Sequence, residues 1–403
     1  MTGRGHTSRF ACDVVIVGGC GHVGLPLAVA FADRGARVAI YDISAGAVES
    51  VNAGRLPFRE PSAELPLRRA VSAGRLVASA DPAIVGAAEN VVVVVSGPGG
   101  DDAGLGPESI GTVLADCVPQ FRDGQILVLR STVAPGTTAT AEKLVAGLGI
   151  DMDVAFCPER IAQGMAMTEL YQLPQIVASR TPRGLERASR LFSRLTPLLV
   201  PLTPEEAELA KLFTNAWRYI RFAVANQFYM IASDLGLDYE RIRAALMRDY
   251  PRADDLAPAG FAAGPCLLRD TSVLARAYPG FTLGRAAIGV NQGLPGYLIS
   301  RLERRFDLAA MTVGILGMAF KGGSDDTRSS LSYLLADLLE GTCGDVLCTD
   351  PLVTSDPELV PLEAVLEQAD LLIICAPHPE YQELRTTKPV VDIWNLLRGG
   401  VLA

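Results

Sequence analysis

The stretch CDVVIVGGCGHVGLPLAVAFADRGARVAIYD, residues 12–42, decides the fold. Val14 to Val17 form an unbroken apolar run, the pattern of a strand buried on both faces. Gly19, Gly21 and Gly24 follow with G-x-G-x-x-G spacing, Leu25 to Ala32 read as a helix, and Val38 to Tyr41 read as a second strand ending at Asp42. The glycines let the backbone turn tightly and approach a pyrophosphate, whose charge rests on the helix N-terminus. Gly19, Gly21, Val23 and Gly24 are therefore candidate cofactor contacts. Asp42, 18 residues beyond Gly24, is placed to accept hydrogen bonds from a ribose and to repel a 2′-phosphate, which favours NAD over NADP. The alternative is a tight strand–helix turn that binds nothing.

The same alternation of short apolar strands and helical patterns continues to about residue 200, with strands predicted at 91–95, 126–130, 153–156 and 175–178. It is the pattern of a doubly wound parallel α/β sheet. Pro201 to Pro204 read as a turn, followed by PEEAELAKLFTNAWRYIRFAVANQFYMIASDLG, a helix of about thirty residues with Pro204 and two glutamates at its start. A helix of that length suits a spine between domains or a dimerisation element, or else a long core helix. Residues 250–284 read as irregular, being rich in Pro, Gly and Ala. A second α/β pattern then begins with MTVGILGMAFK, followed by the strands VLCTD, LLIICAP and VVDIW. The expected architecture is two Rossmann-like doubly wound domains, 1–203 and 301–403, joined by a central helical region, 204–300.

With 403 residues and 49% hydrophobic content, the chain can build two or three cores. A net charge of −9 and a pI near 5.0 argue against nucleic-acid or anionic-membrane partners. Three histidines and eight scattered cysteines without C-x-x-C pairing predict no metal site, and a reducing, cytoplasmic location. The mean hydropathy of +0.27 is high, but the longest apolar stretch is broken by glycines and reads as a Rossmann core. The N-terminus has no apolar signal region. Of 36 basic residues only four are lysines: Lys143, Lys211, Lys321 and Lys388. Each lysine is thus worth asking about, because arginine cannot replace a compact or titrating ammonium.

Four further segments can carry chemistry. RSTVAPGTT (130–138) is a strand end with hydroxyls, CPERIAQG (157–164) offers an acid in a loop, and Lys211 with Asn215 shares one face of the long helix. GFAAGPCLLRD (260–270) sets Cys266 after small residues, with Asp270 four positions on. Singly, each has a plain alternative: Thr132 as a cap, Glu159 as a surface acid, Lys211 as a solvated charge, Cys266 as a buried small hydrophobe. Together with a dinucleotide site they suit an oxidation through a thiohemiacetal and thioester.

From residue 12 to the C-terminus the chain resembles the UDP-glucose/GDP-mannose dehydrogenase family. The resemblance is carried by GGCGHVGLPLA, RSTVAPGTT, CPERIAQG, AELAKLFTNAWR, YPRA, GFAAGPCLLRD, GMAFKGGSDDTR, TDP, CAPHPEY and VDIWN in that order. It implies an NAD-dependent, four-electron oxidation of a nucleotide-sugar C6 hydroxyl to a carboxylate, with UDP held by the 301–403 domain. By position, Cys266 matches the nucleophile, and Asp270, Lys211 and Asn215 match the groups that hold the reacting oxygen and a water. Thr132 and Glu159 match polar residues near C6, with Glu159 a candidate base for thioester hydrolysis. Arg160, Gly260, Phe261 and Lys321 fall at substrate positions. Ser96, Thr132 and Arg328 fall at cofactor positions, and Arg252 matches an arginine that reaches into a partner's sugar site, implying a homodimer. The chain departs from the family pattern at Gln163, where an acid is usual, at VSGPGG (95–100), at Arg269 and at Pro265. No aromatic–leucine–lysine run lies between Arg252 and Cys266. CPER resembles the N-acetylhexosamine members and CLLRD the UDP-glucose members. The expected substrate is therefore a UDP-hexose of either class. The alternatives are a two-electron hydroxyacid dehydrogenase of the 6-phosphogluconate type and a non-catalytic binding protein.

Overall fold

The computed structural model describes residues 9–95 and 105–397. The chain divides into two compact units, 1–213 and 214–403.

The N-terminal unit is built on eight strands: β1 (Cys12–Val17), β2 (Val38–Tyr41), β3 (Leu76–Ser79), β4 (Ala88–Val93), β5 (Ile126–Leu129), β6 (Asp153–Phe156), β7 (Gln175–Ala178) and β8 (Leu199–Leu202). Their order is β3-β2-β1-β4-β5-β6-β7-β8, parallel except at the β6–β7 pair. The alternation along β1 explains its burial. Val14 and Ile16 enter the core on one face with Leu25 and Phe31, while Val15 and Val17 enter the core on the other with Val91 and Leu127. The helix Gly24–Asp33 follows β1 directly.

Several expected elements are placed differently. The fourth strand is Ala88–Val93 rather than 91–95, because the polar Glu89 and Asn90 conceal its start. Leu199–Leu202 is an edge strand, not the beginning of a turn, and Pro201 pairs opposite Val177 where an edge tolerates a missing N–H. Leu76–Ser79 is a second short edge strand that the sequence pattern did not reveal.

The second unit carries β9 (Thr312–Leu316), β10 (Asp345–Thr349), β11 (Leu371–Ile374) and β12 (Val390–Asp392), all parallel in the order β10-β9-β11-β12. The long helix runs from Pro204 to Asp234 as expected. The boundary between the compact units falls inside it. Ala225 and Tyr229 of this helix share one core with Leu294, Leu298, Val313 and Ile315, so the central segment and the C-terminal sheet pack together. The region 250–284 is not irregular throughout. Pro265–Ala277 is a helix, with Pro265 in its first turn and Gly264 at its N-cap in a positive-φ conformation (96°), and another helix begins at Thr282.

Candidate active site

In the N-terminal unit, the turn after β1 is shaped by contacts that exclude side chains. A Cβ built on Gly24 would stand 2.6 Å from Gly19 Cα, and one on Gly19 would stand 2.8 Å from Ile16 O. Gly21 differs: its Cβ would meet open space, with Gly18 O the nearest atom at 4.0 Å. Two glycines thus bring helix and strand together, and the third keeps a face clear for a ligand. No side chain caps the helix Gly24–Asp33, whose N-cap residue is Val23 and which has no acid in its first turn. Leu25 N–H and Leu27 N–H already donate to Gly21 O and Val23 O, so what this end offers a pyrophosphate is the positive end of the helix dipole. Asp42 accepts from Cys20 N at 2.9 Å and from Ser44 N at 3.0 Å, one bond on each oxygen. A carboxylate has about four acceptor positions, so this one is oriented yet retains capacity for two ribose hydroxyls. The residues therefore fit NAD. Burial, aided by Asp42, pushes the Cys20 thiol up to about 12, so it stays a neutral neighbour. Ser96 lies outside the described residues.

Arg130, the first residue of RSTVAPGTT, is 1% exposed. Its guanidinium donates to Cys157 O (3.0 Å), Gln175 Oε1 (2.9 Å) and Glu159 Oε2, and lies over the Phe192 ring. The other oxygen of Glu159 accepts from Arg160 N (2.7 Å) and Ile161 N (2.9 Å). Three acceptor positions of Glu159 are therefore engaged in holding its own loop. This arrangement fixes the orientation of the carboxylate and leaves about one acceptor position open. The Arg160 side chain turns to Pro174 O. Thr132 is half-buried and its carbonyl accepts from Leu105 N. Sequence reasoning passed over Arg130, although the scarcity of lysine hinted that arginines would make the buried ion pairs.

On the long helix, Lys211 and Asn215 are both buried, one turn apart. Asn215 Nδ2 donates to Asp270 Oδ2 at 2.6 Å, and Arg269 Nε donates to Asp270 Oδ1 at 2.9 Å. Asp270 is fully buried and sits one helical turn after Cys266. Of the eight cysteines, Cys266 alone is exposed. Burial pushes the thiols of Cys117, Cys157 and Cys348 up to about 11, 12 and 12. Cys266 lies in the first turn of its helix, after Gly264 and Pro265.

Other expected substrate residues are placed unevenly. Gly260 is clasped by Asn226, which accepts from its N–H (2.9 Å) and donates to its carbonyl (3.0 Å). A Cβ there would meet the Trp394 ring at 2.4 Å. Phe261 is 3% exposed and packs in the core with Leu294 and Leu298, so its ring is not offered to a ligand; only its backbone remains a candidate. Arg252 is exposed, with Nε donating to Tyr250 Oη at 2.9 Å and the guanidinium 4.7 Å from that ring's centre. Arg328 forms an ion pair with Asp326 at 2.7 Å. Lys321 is half-buried beside the Phe320 ring.

Three family models match in series: the NAD binding domain of the UDP-glucose/GDP-mannose dehydrogenase family over residues 13–196, its central domain over 205–292 and its UDP binding domain over 314–399. The UDP-N-acetyl-D-mannosamine dehydrogenase of Pyrococcus horikoshii is 30% identical over 386 residues, covering 92% of this chain and 90% of that protein. This chain belongs to the UDP-glucose/GDP-mannose dehydrogenase family. It is accordingly an NAD-dependent nucleotide-sugar dehydrogenase. The NDP-N-acetyl-D-galactosaminuronic acid dehydrogenase of Ralstonia nicotianae is 29% identical, with 95% of this chain and 97% of that one covered. Among solved structures, the UDP-glucose dehydrogenase from Pyrobaculum islandicum aligns with a TM-score of 0.85 at 28% identity, covering 97% and 95% of the two chains. The structure of the Pyrococcus horikoshii enzyme gives 0.87 at 25% identity, with 97% of each chain covered.

Proposed function

We propose that this dehydrogenase oxidises the C6 hydroxyl of a UDP-hexose to the uronate in two steps at Cys266. The observation that carries the reading is the pairing of the exposed Cys266 with a buried Asp270 one turn later, held by Asn215. NAD, when bound, accepts one hydride in each of the two oxidations. In the first, the hydroxyl loses a proton and a hydride to give an aldehyde. The Cys266 sulfur then adds to the carbonyl carbon, forming a C–S bond and a thiohemiacetal. Loss of a second hydride and a proton gives the thioester, and water cleaves the C–S bond to release the carboxylate and restore the thiol. Lys211 offsets the negative oxygen in these steps, an effect worth on the order of 3 kcal/mol in such sites. Asp270, anchored by Asn215 and Arg269, orients the water or the reacting hydroxyl.

The names of the similar relatives favour a UDP-N-acetylhexosamine over UDP-glucose. A homodimer is supported by an apolar stripe along the long helix: Trp217, Val224, Phe228 and Ile231 are all exposed, at spacings that keep one face, and the exposed Leu235 follows just past its end. A reducing cytoplasm is supported by eight free cysteines. Among the described residues, no helix is long and apolar enough to cross a membrane.

The test is stoichiometric. Incubation with NAD and a panel of UDP- and GDP-sugars should release two NADH per UDP-N-acetylhexosamine consumed, and Cys266→Ser should release at most one. Two NADH at the wild-type rate from Cys266→Ser would refute the covalent route. One NADH from the wild type would point to a two-electron alcohol oxidation.

A further inference from the structure

The two sheets end their first strands alike. In the N-terminal unit, Gly18 N–H donates to Tyr41 O at 2.8 Å, and Asp42, just past β2, takes the Cys20 amide. In the second unit, Gly317 N–H donates to Thr349 O at 2.8 Å, and Asp350, just past β10, takes the amides of Met318 (2.7 Å) and Ala319 (2.9 Å) on Oδ2. Asp350 thus stands where a dinucleotide fold keeps its ribose-binding acid.

The likeness ends at the acid's surroundings. The Asp350 side chain is completely buried, and its Oδ1 also accepts from Leu352 N (2.8 Å) and Val353 N (3.0 Å). His378, in the loop after β11 and itself completely buried, adds a fifth partner through Nε2, 3.1 Å from Oδ2. Five donors saturate a carboxylate that has about four acceptor positions, so none remains for a ribose hydroxyl. Burial alone would raise the Asp350 carboxyl, but the His378 bond and the amides hold it at about 2. The other ring nitrogen of His378, Nδ1, accepts from Gly323 N at 3.2 Å, which puts the ring proton on Nε2 and aims it at Asp350. Asp350 and His378 therefore grip both ends of the segment 318–323. Between them the backbones nearly touch: a Cβ on Gly322 would lie 2.2 Å from Pro377 O. Lys321 is carried on that segment.

We infer that His378 and Asp350 are positioning residues, fixing the segment 318–323 so that the Lys321 ammonium meets the nucleoside-diphosphate part of the substrate. This rests on the nucleotide-sugar reading above. The acid that would bind a ribose in a cofactor domain here pins the loop that carries the ligand's cation. An unpinned loop would have to be ordered at each binding event, at a cost in affinity.

Calorimetry on the full-length protein, with UDP and NAD as separate probes, tests the inference through a double-mutant cycle. Lys321→Ala and His378→Asn should each weaken UDP binding about tenfold and leave NAD binding unchanged. The double variant should bind UDP no more weakly than Lys321→Ala alone. Losses that multiply in the double variant, or wild-type UDP affinity in His378→Asn, overturn the positioning role. Gly322→Ala provides a second route should His378→Asn fold poorly: it displaces the same segment without touching either polar group. A UDP loss that vanishes in the Lys321→Ala background supports the role, and an equal loss in both backgrounds overturns it. A wild-type protein that binds NAD but not UDP would instead sink the nucleotide-sugar reading, and this inference with it.

Discussion

Glu208 offers the sharpest test of how the N-terminal unit is held together. It lies in the second turn of the long helix, is 2% exposed, and its carboxylate reaches the start of the helix Thr137–Gly147. Oε1 accepts from Thr138 N (2.8 Å) and Thr138 Oγ1 (2.6 Å), and Oε2 accepts from Gly136 N (2.7 Å). The helix has Gly136 at its N-cap and no local side-chain cap, so Glu208 supplies the missing acceptor from a distant part of the chain. Glu208→Gln keeps the shape. The amide oxygen can still serve Thr138, but the new NH2 faces the Gly136 N–H, donor against donor. Losing one bond to a charged acceptor costs about 1.5–3 kcal/mol. Removing the negative charge from a helix N-terminus costs about another 0.3–1 kcal/mol. The sum is a destabilisation of about 2–4 kcal/mol. Urea unfolding should show it in the transition that added NAD shifts, which marks this unit. Thr138→Val, which removes only the hydroxyl, should cost about 1 kcal/mol. A loss below about 1 kcal/mol for Glu208→Gln would mean that other groups satisfy these amides and that the cap is incidental.

Gly24→Ala forces a methyl against Gly19 Cα and Gly18 O, both backbone atoms, so the turn must open. NAD affinity should fall by about ten- to a hundredfold, the equivalent of 1–3 kcal/mol of overpacking, while UDP binding is unchanged; equal NAD affinity by titration would show that the turn is not the cofactor cradle. Ile231→Glu places a charge on the exposed apolar stripe of the long helix. The homodimer proposed above should then dissociate in sedimentation experiments, while the fold of the single chain changes by less than about 0.5 kcal/mol. A variant that sediments as the wild type would remove this face from the interface.

Where a local pattern repeats, the fold was legible. The run at Val14–Val17, the glycine spacing and the alternation of strands and helices foretold two Rossmann-like sheets, and the thirty-residue apolar periodicity foretold the helix Pro204–Asp234. Elements defined by their neighbours were hidden. Leu199–Leu202 is a strand because β7 offers it an edge, and Pro201 in its middle argued locally for a turn. The helix Pro265–Ala277 begins with a glycine and a proline, which look like disorder until one sees that they open a helix rather than interrupt one. Of the candidate site, the sequence offered residue types but not their partners. Cys266, Asp270 and Asn215 were singled out from spacing and resemblance, whereas Arg130 at Glu159, Glu208 at Thr138 and His378 at Asp350 pair residues 29, 70 and 28 positions apart. No short window of sequence contains both ends of such a bond.

The division of labour between arginine and lysine is the clearest case of composition becoming mechanism. Four buried carboxylates here are paired with arginine: Glu159 with Arg130, Asp153 with Arg187, Asp270 with Arg269, Asp326 with Arg328. A planar guanidinium can bond several acceptors at once, as Arg130 does with a carboxylate, a carbonyl and an amide. The four lysines sort differently. Lys143 is exposed, and Lys388 donates to Glu367 O near the end of the helix Leu362–Gln368, so neither needs a ligand to explain it. Lys211 is buried one turn from Asn215, and Lys321 rides on the segment pinned by Asp350 and His378. On the function proposed above, a chain that uses arginine for nearly every other cation keeps lysine at these two positions so that a compact ammonium can approach a charged oxygen of the substrate. A guanidinium there would impose its planar fork on a partner that moves. The scarcity of lysine, a bare compositional fact, thus singles out the same two residues to which the proposed function gives the charged oxygens of the substrate.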